Sequence, residues 1–237
     1  TLIYCMSKKI INQKRNYNTE LINSIESSFI FEKDPINRFK NADIASSKNY
    51  AEEKINKEQK LTELKKDISS IEDCSIKKNS RKIVLGSGNI NSPIMLIGEA
   101  PGAEEDKAGE AFLGEIGNLL KKMLIAINIK KENIYSSYAI NFRPPEDRKP
   151  TTSEIKRYSR FLQNHISIIK PKIIILMGST AMESVTGLNG KISAERGKWK
   201  EVIIKNINYD VIITFNPSYL LRAPENKKYS WEDLKNI

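Results

Sequence analysis

From residue 82 onward, short apolar runs alternate with amphipathic segments, and few folds accept that pattern. Residues 172–178, KIIILMG, are apolar at nearly every position rather than at every second one. A run like this suits a strand covered on both faces. KIVLG (82–86) and IMLIG (94–98) likewise end in glycine and read as strands, as does NIYSSYAI (133–140). KEVIIKNI and YDVIITF, divided by Asn208, read as two more. Between them GEIGNLLKKMLIAI (114–127), TTSEIKRYSRFLQNHISIIK (151–170) and STAMESVTG (179–187) have helical character, and SWEDLKNI (230–237) closes the series. Thr151 and Glu154 are spaced for a capping box at the start of the second helix. Strands alternating with helices predict an α/β fold whose mainly parallel sheet is covered on both faces. In such sheets ligands bind beyond the carboxyl ends of the strands. That rule points to the loops after Gly98, Ile140, Gly178 and Phe215.

Residues 1–50, rich in Asn, Ile, Lys and Ser, show no sustained period and predict short helices or disorder. Residues 51–72 predict a charged helix, with Ile55, Leu61, Leu64, Ile68 and Ile71 at helical spacing. The chain carries 39 basic and 29 acidic side chains. Residues 1–80 hold 15 and 12 of them and residues 81–237 hold 24 and 17, so most of the excess lies in the part that reads as folded. A surface facing phosphate and a merely solvated lysine-rich surface both fit that balance. No run approaches the roughly 18 apolar residues of a membrane span, and Thr1–Ile10 has no signal-peptide core, so a soluble intracellular protein is expected, with Met6 a candidate start. Cys5 and Cys74 alone make neither a disulfide framework nor a zinc spacing, and no metal site is expected. His165 is the single histidine, and it reads as a helix-surface or packing residue.

Four loops carry residues suited to chemistry. Gly98-Glu99-Ala100-Pro101-Gly102 lets backbone amides approach a ligand, and the acidic run 104–106 follows it. The carboxylates suit a site that activates water or stabilises a cation; a tight turn with an acidic helix start is the other reading. Phe112, between glycines, reads either as a stacking platform for a planar base or as a core residue closing the loop. The loop FRPPEDRKP (142–150) is stiffened by proline and basic, which suits phosphate contacts or an ordinary rigid surface. In NPSYLLR (216–222) two leucines beside an arginine suit a wedge into a DNA stack, or a helix start with leucine in the core.

Taken in order, GEAPGAEED, GEAFLG, FRPPEDRKP, KIIILMG, RGKW and NPSYLLR resemble the family 4 branch of uracil-DNA glycosylases. The resemblance covers roughly residues 61–237, with residues 1–60 as an extension that is helical or disordered. It implies a three-layer sandwich with a four-stranded, mainly parallel central sheet flanked by helices. It also implies hydrolysis of the uracil N-glycosidic bond in DNA, by a monomer in the bacterial cytoplasm at the nucleoid. Three departures stand out. The four cysteines that hold a [4Fe–4S] cluster in that family match Ile71, Cys74, Phe142 and Tyr158, and one thiolate cannot hold such a cluster. No cofactor is therefore expected, and Phe142 and Tyr158 would fill the volume. The last motif, which usually begins with His, begins with Asn216. The strand residue that usually is an Asn reading the uracil edge is Tyr138.

The resemblance also implies roles. Uracil must be flipped from the duplex; Leu220 or Leu221 would fill the gap, and Phe112 would stack on the base. Amides near Gly98 and Ala100 would bind the ring carbonyls, and Tyr138 would either donate to one or crowd the pocket. Asn216 would donate to uracil O2 as negative charge develops there. Glu99 and Glu105 would orient water or counter the sugar cation. Arg143, Arg148, Lys149, Ser218 and Arg222 would contact the DNA backbone. Two other readings remain: a DNA-binding relative with little or no catalysis, and a domain of this fold that handles a small nucleotide.

Overall fold

The computed structural model describes residues 38–72 and 74–237. The chain divides into two units, 1–48 and 49–237. The expectation for residues 1–37 lies outside the described residues; residues 38–48 are helical.

The first helix among the described residues, α1 (Arg38–Ser69), starts well before the predicted residue 51. Leu61, Leu64 and Ile68 of its second half are buried, while Ile55 is exposed. A short α2 (Ser75–Asn79) buries Ile76. Six strands follow: β1 (Gly86–Gly88), β2 (Ile94–Gly98), β3 (Ile134–Tyr138), β4 (Ile173–Met177), β5 (Trp199–Ile204) and β6 (Ile207–Thr214). They form one sheet in the order β1-β3-β2-β4-β6-β5. The central four, β3, β2, β4 and β6, are parallel, and β1 and β5 add antiparallel edges. The expected four-stranded parallel sheet is thus the middle of a six-stranded one.

Two edge details differ from expectation. Residues 82–85 do not join the ladder, because the Val84 N–H donates to the Asn141 carbonyl (2.8 Å) and the Asn141 amide donates back to Val84 O (3.0 Å). Only residues 86–88 pair with β3. The β5–β6 turn falls at Lys205-Asn206, both at positive φ (48° and 64°), and not at Asn208. That is the two-residue hairpin geometry that matches strand twist.

The apolar runs are buried on both faces. Met95, Ile97, Ile174, Leu176, Val211 and Ile213 share one cluster with residues of α1, α2, α5 (Thr152–Ile169) and α6 (Ser179–Thr186). Leu96, Ile175, Met177 and Ile212 share the other with α4 (Gly114–Ala126) and Phe112. Alternation along each strand thus separates the two helix layers, and each fully buried aliphatic side chain contributes roughly 1.5–3 kcal/mol. Helix α5 shows the physics plainly. Thr151 caps it in a capping box with Glu154, and Ile155, Tyr158, Leu162, His165, Ile166 and Ile169 make its buried stripe. His165 is therefore a packing residue, not a surface one. Short helices α3 (Ala103–Ala108), α7 (Ile192–Glu195), α8 (Pro217–Arg222) and α9 (Lys227–Leu234) decorate the strand ends. No helix among the described residues is long and apolar enough to cross a membrane.

Candidate active site

The loops beyond β2, β3, β4 and β6 converge on a cleft of about 1400 Å³. Glu99, Ala100 and Glu105 line it from the first loop, Arg148 and Lys149 from the second, Ser179 from the third, and Asn216, Ser218, Leu221 and Arg222 from the last.

Glu99 ties three of these loops together. One carboxylate oxygen accepts from Ser179 Oγ (3.2 Å) and the Thr180 N–H (3.0 Å), and the other accepts from Asn216 Nδ2 (3.2 Å). Gly178 makes room: it sits at φ +104°, and a Cβ there would meet the Glu99 side chain at 2.5 Å. The Asn216 amide works at both ends, because its oxygen accepts from the Ser218 N–H (3.0 Å) and caps α8. The amide nitrogen is thus aimed by a carboxylate and a helix start.

Glu105 is placed differently. It is buried, and its oxygens accept from the Gly102 N–H (3.1 Å) and the Leu113 N–H (3.1 Å). It staples the Gly98–Gly102 turn to the Phe112 loop and satisfies the N–H of the residue that opens α3. Phe112 has a left-handed backbone (φ 54°), sparsely populated for an aromatic residue.

Of the residues expected to hold the base, only Ala100 faces the cleft. Gly98, Phe112 and Tyr138 are buried against one another and do not line it. Among the expected DNA contacts, Leu220 is fully buried, because the cap at Asn216 sets a helical register that turns it inward, and Leu221 is exposed. Arg143 lies off the cleft in a two-bond ion pair with Asp147 (2.7 Å). Arg148 lines the cleft but forks onto Glu154 (2.7 and 2.9 Å), which holds that carboxyl down at about 2. Lys149 and Arg222 carry no acidic partner among the described residues.

The sequence reading assigned no role to Arg196, which also lines the cleft. It pairs with Asp233 (2.7 Å) and lies over the rings of Phe215 and Tyr229, so it clasps α9 to the cleft wall. Its position in RGKW, just before a strand, was the available signal.

Residues 85–235 match the profile described as the uracil DNA glycosylase superfamily. The chain belongs to that superfamily. It is 31% identical over 183 residues to the Type-4 uracil-DNA glycosylase of Archaeoglobus fulgidus, covering 76% of this chain and 92% of that protein. The Thermotoga maritima Type-4 uracil-DNA glycosylase is 37% identical over 155 residues, 65% of this chain and 79% of the relative. A third Type-4 uracil-DNA glycosylase, from Pyrobaculum aerophilum, is 31% identical over 180 residues, 74% and 90% of the two chains.

For a member of this superfamily, the region matched to the iron–sulfur ligands is apolar. Cys74, Phe142 and Tyr158 are buried in one cluster, with Ile71 packed against it. The Phe142 and Tyr158 rings meet edge to face at 6.3 Å, and Cys74 Sγ lies 3.3 Å from the Tyr158 hydroxyl. One thiol among two rings and an aliphatic chain does not fit a four-thiolate cluster. Among the described residues, no group of three or more His, Cys, Asp or Glu is arranged to hold a metal ion. Purified protein is expected to be colourless, with iron and acid-labile sulfide far below one cluster per chain. Stoichiometric iron and sulfide after anaerobic purification would show the expectation to be wrong.

Proposed function

We propose that the chain hydrolyses the N-glycosidic bond of uracil in DNA, without a metal cofactor, through residues 61–237, with residues 1–60 as an extension. One observation carries the reading: the Asn216 amide nitrogen, fixed by Glu99, stands at the junction of the loops beyond β2, β4 and β6. A donor fixed before reaction is what a departing pyrimidine anion requires at O2. The superfamily membership and the names of the relatives support the same substrate.

In this reading Glu99 positions Asn216 and adds negative charge beside the sugar cation. Glu105 holds the loop that carries Phe112, and its part in catalysis is to keep that loop in place. Leu221 fills the gap left by the flipped base. Lys149, Arg222 and Ser218 meet the backbone of the strand, with Arg148 joining them if Glu154 releases it.

The direct test uses a labelled oligonucleotide with a single uracil. Incubation with the protein and then alkali is expected to cut the strand at that position. An uncut strand, together with tight binding of the same oligonucleotide, would favour the DNA-binding relative over the enzyme.

Binding itself should depend strongly on salt. Removing one phosphate contact lowers the slope of log K against log salt by about 0.9 on duplex DNA. Lys149→Ala with Arg222→Ala is expected to lower it by about twice that. Arg143→Ala, which removes a side chain already paired with Asp147, should change it much less. Titrations of a short duplex across a range of KCl concentrations measure both, and equal slopes for all three proteins would take these residues out of the interface.

A further inference from the structure

The face of Phe112 is already occupied. The Tyr138 ring lies 4.9 Å from the Phe112 ring, centre to centre, with 31° between their planes. A Cβ on Gly98 would meet Tyr138 ring carbons at 2.7 Å and Phe112 Cζ at 2.8 Å, so the three groups pack without a gap. The hydroxyl is held as well: it accepts from the Phe112 N–H (3.0 Å) and donates to Glu105 Oε1 (3.4 Å). The left-handed backbone at Phe112 is fixed by that bond and by the neighbouring bond from Leu113 to Glu105.

We propose that Tyr138 is the gate of the base slot. Its ring takes the place on Phe112 that a flipped pyrimidine would take, and a base is held there only after Tyr138 has left. The proposal rests on the glycosylase reading of the cleft. A phenol ring and a pyrimidine are of similar size, and one face of Phe112 accommodates one of them at a time. Departure of Tyr138 frees an N–H at Phe112 and an acceptor at Glu105. A base offering a carbonyl beside an N–H can satisfy both, and uracil has that pair at N3 and its flanking carbonyls. The gate would therefore favour bases that replace both hydrogen bonds over bases that merely stack, because the Phe112 N–H left unpaired and buried is costly, while Glu105 Oε1 keeps the Leu113 N–H.

The test compares the full chain with Tyr138→Ala and Tyr138→Phe, after thermal melts establish that each is folded. Calorimetry measures binding of free uracil, and single-turnover assays measure uracil release from an oligonucleotide. Tyr138→Ala is expected to bind uracil about tenfold more tightly than the unmodified chain, in the range of one base–aromatic stack. Tyr138→Phe keeps the ring and should gain only a small part of that. If alanine prevents folding, Tyr138→Val, which suits a strand and removes the ring without adding a polar group, takes its place. Equal uracil affinity in folded unmodified and alanine chains overturns the gate, as does a phenylalanine variant that gains as much as alanine. Tighter uracil binding by Tyr138→Ala, with no release from DNA by either chain, sustains the gate and defeats the glycosylase reading. Release from DNA with unchanged uracil affinity does the reverse.

Discussion

Asn216→Ser is expected to slow uracil release about a hundredfold in single turnover, the usual effect of deleting one donor from a preorganised site. Binding of the uncleaved duplex should change little. Serine keeps an oxygen for the Ser218 N–H, so the cap of α8 survives, but it carries no amide nitrogen to replace the one held by Glu99. Asn216→Ala removes cap and donor together and should add about 1 kcal/mol of lost stability to the same catalytic defect. The pair of variants therefore separates helix capping from leaving-group stabilisation. Asn216→His is expected to raise the rate, since an imidazole can donate more strongly than a neutral amide. A serine variant as fast as the unmodified chain would remove Asn216 from the leaving-group side of the reaction.

Lowering the pH from 6.5 to 5 should destabilise the fold by about 1.6 kcal/mol through His165 alone, with the slope steepening toward about 1.4 kcal/mol per pH unit at the acid end. This imidazole is buried between β3 and α5, where burial pushes its pKa down to about 3 from 6.5. Its neighbours fix a neutral ring. Ser137 Oγ donates to Leu85 O (2.7 Å), which leaves it to accept from Nδ1–H (3.3 Å), and Nε2 then accepts from the Tyr135 hydroxyl (2.9 Å). Above pH 6.5 the ring is neutral in both folded and unfolded chains, and its contribution is fully present. As the pH falls below 6.5 the unfolded chain takes up a proton that the folded chain refuses, so stability drops until the folded-state value near 3 is reached. Glu154 adds its own loss only below about 4.5, where protonation removes the charge that Arg148 pairs with. His165→Gln removes the titrating group and should flatten the slope of denaturation midpoint against pH. A slope shared by both proteins would assign it to other groups.

Much of the fold was legible because parallel strands buried on two faces have no choice but to be apolar at successive positions. Ile94–Gly98 and Ile173–Met177 could be read for that reason. The edges were harder. Gly86–Gly88 is Gly-Ser-Gly, with no side-chain period, and its pairing depends on β3, some fifty residues away. The Lys205-Asn206 turn hid because lysine gives no sign of a left-handed conformation. The early start of α1 hid because the apolar residues of its first half, Phe39, Ile44 and Tyr50, do not recur at a sustained helical spacing.

The site divided along the same line. Glu99 and Asn216 sit at strand ends, where the topology of such sheets puts ligands, and their residue types suggested their chemistry. What stayed hidden was spatial. Leu220 and Leu221 are equivalent in composition, and only the phase of a helix capped by Asn216 turns one inward. The contact of Tyr138 with Phe112 joins residues 26 positions apart on different elements, beyond the reach of any local pattern.

The cleft draws on residues from Glu99 to Tyr229, in loops set apart by the crossovers of a sheet ordered β1-β3-β2-β4-β6-β5. No short stretch of the chain contains enough of it to hold a free base, so an unfolded chain has essentially no affinity for one. Every increment of occupancy must then act as a thermodynamic brake on global unfolding. A ligand at a hundred times its dissociation constant should add about 2.7 kcal/mol to stability. The melting temperature of this chain is thus a ligand assay in its own right, able to rank free bases before any bond is cut.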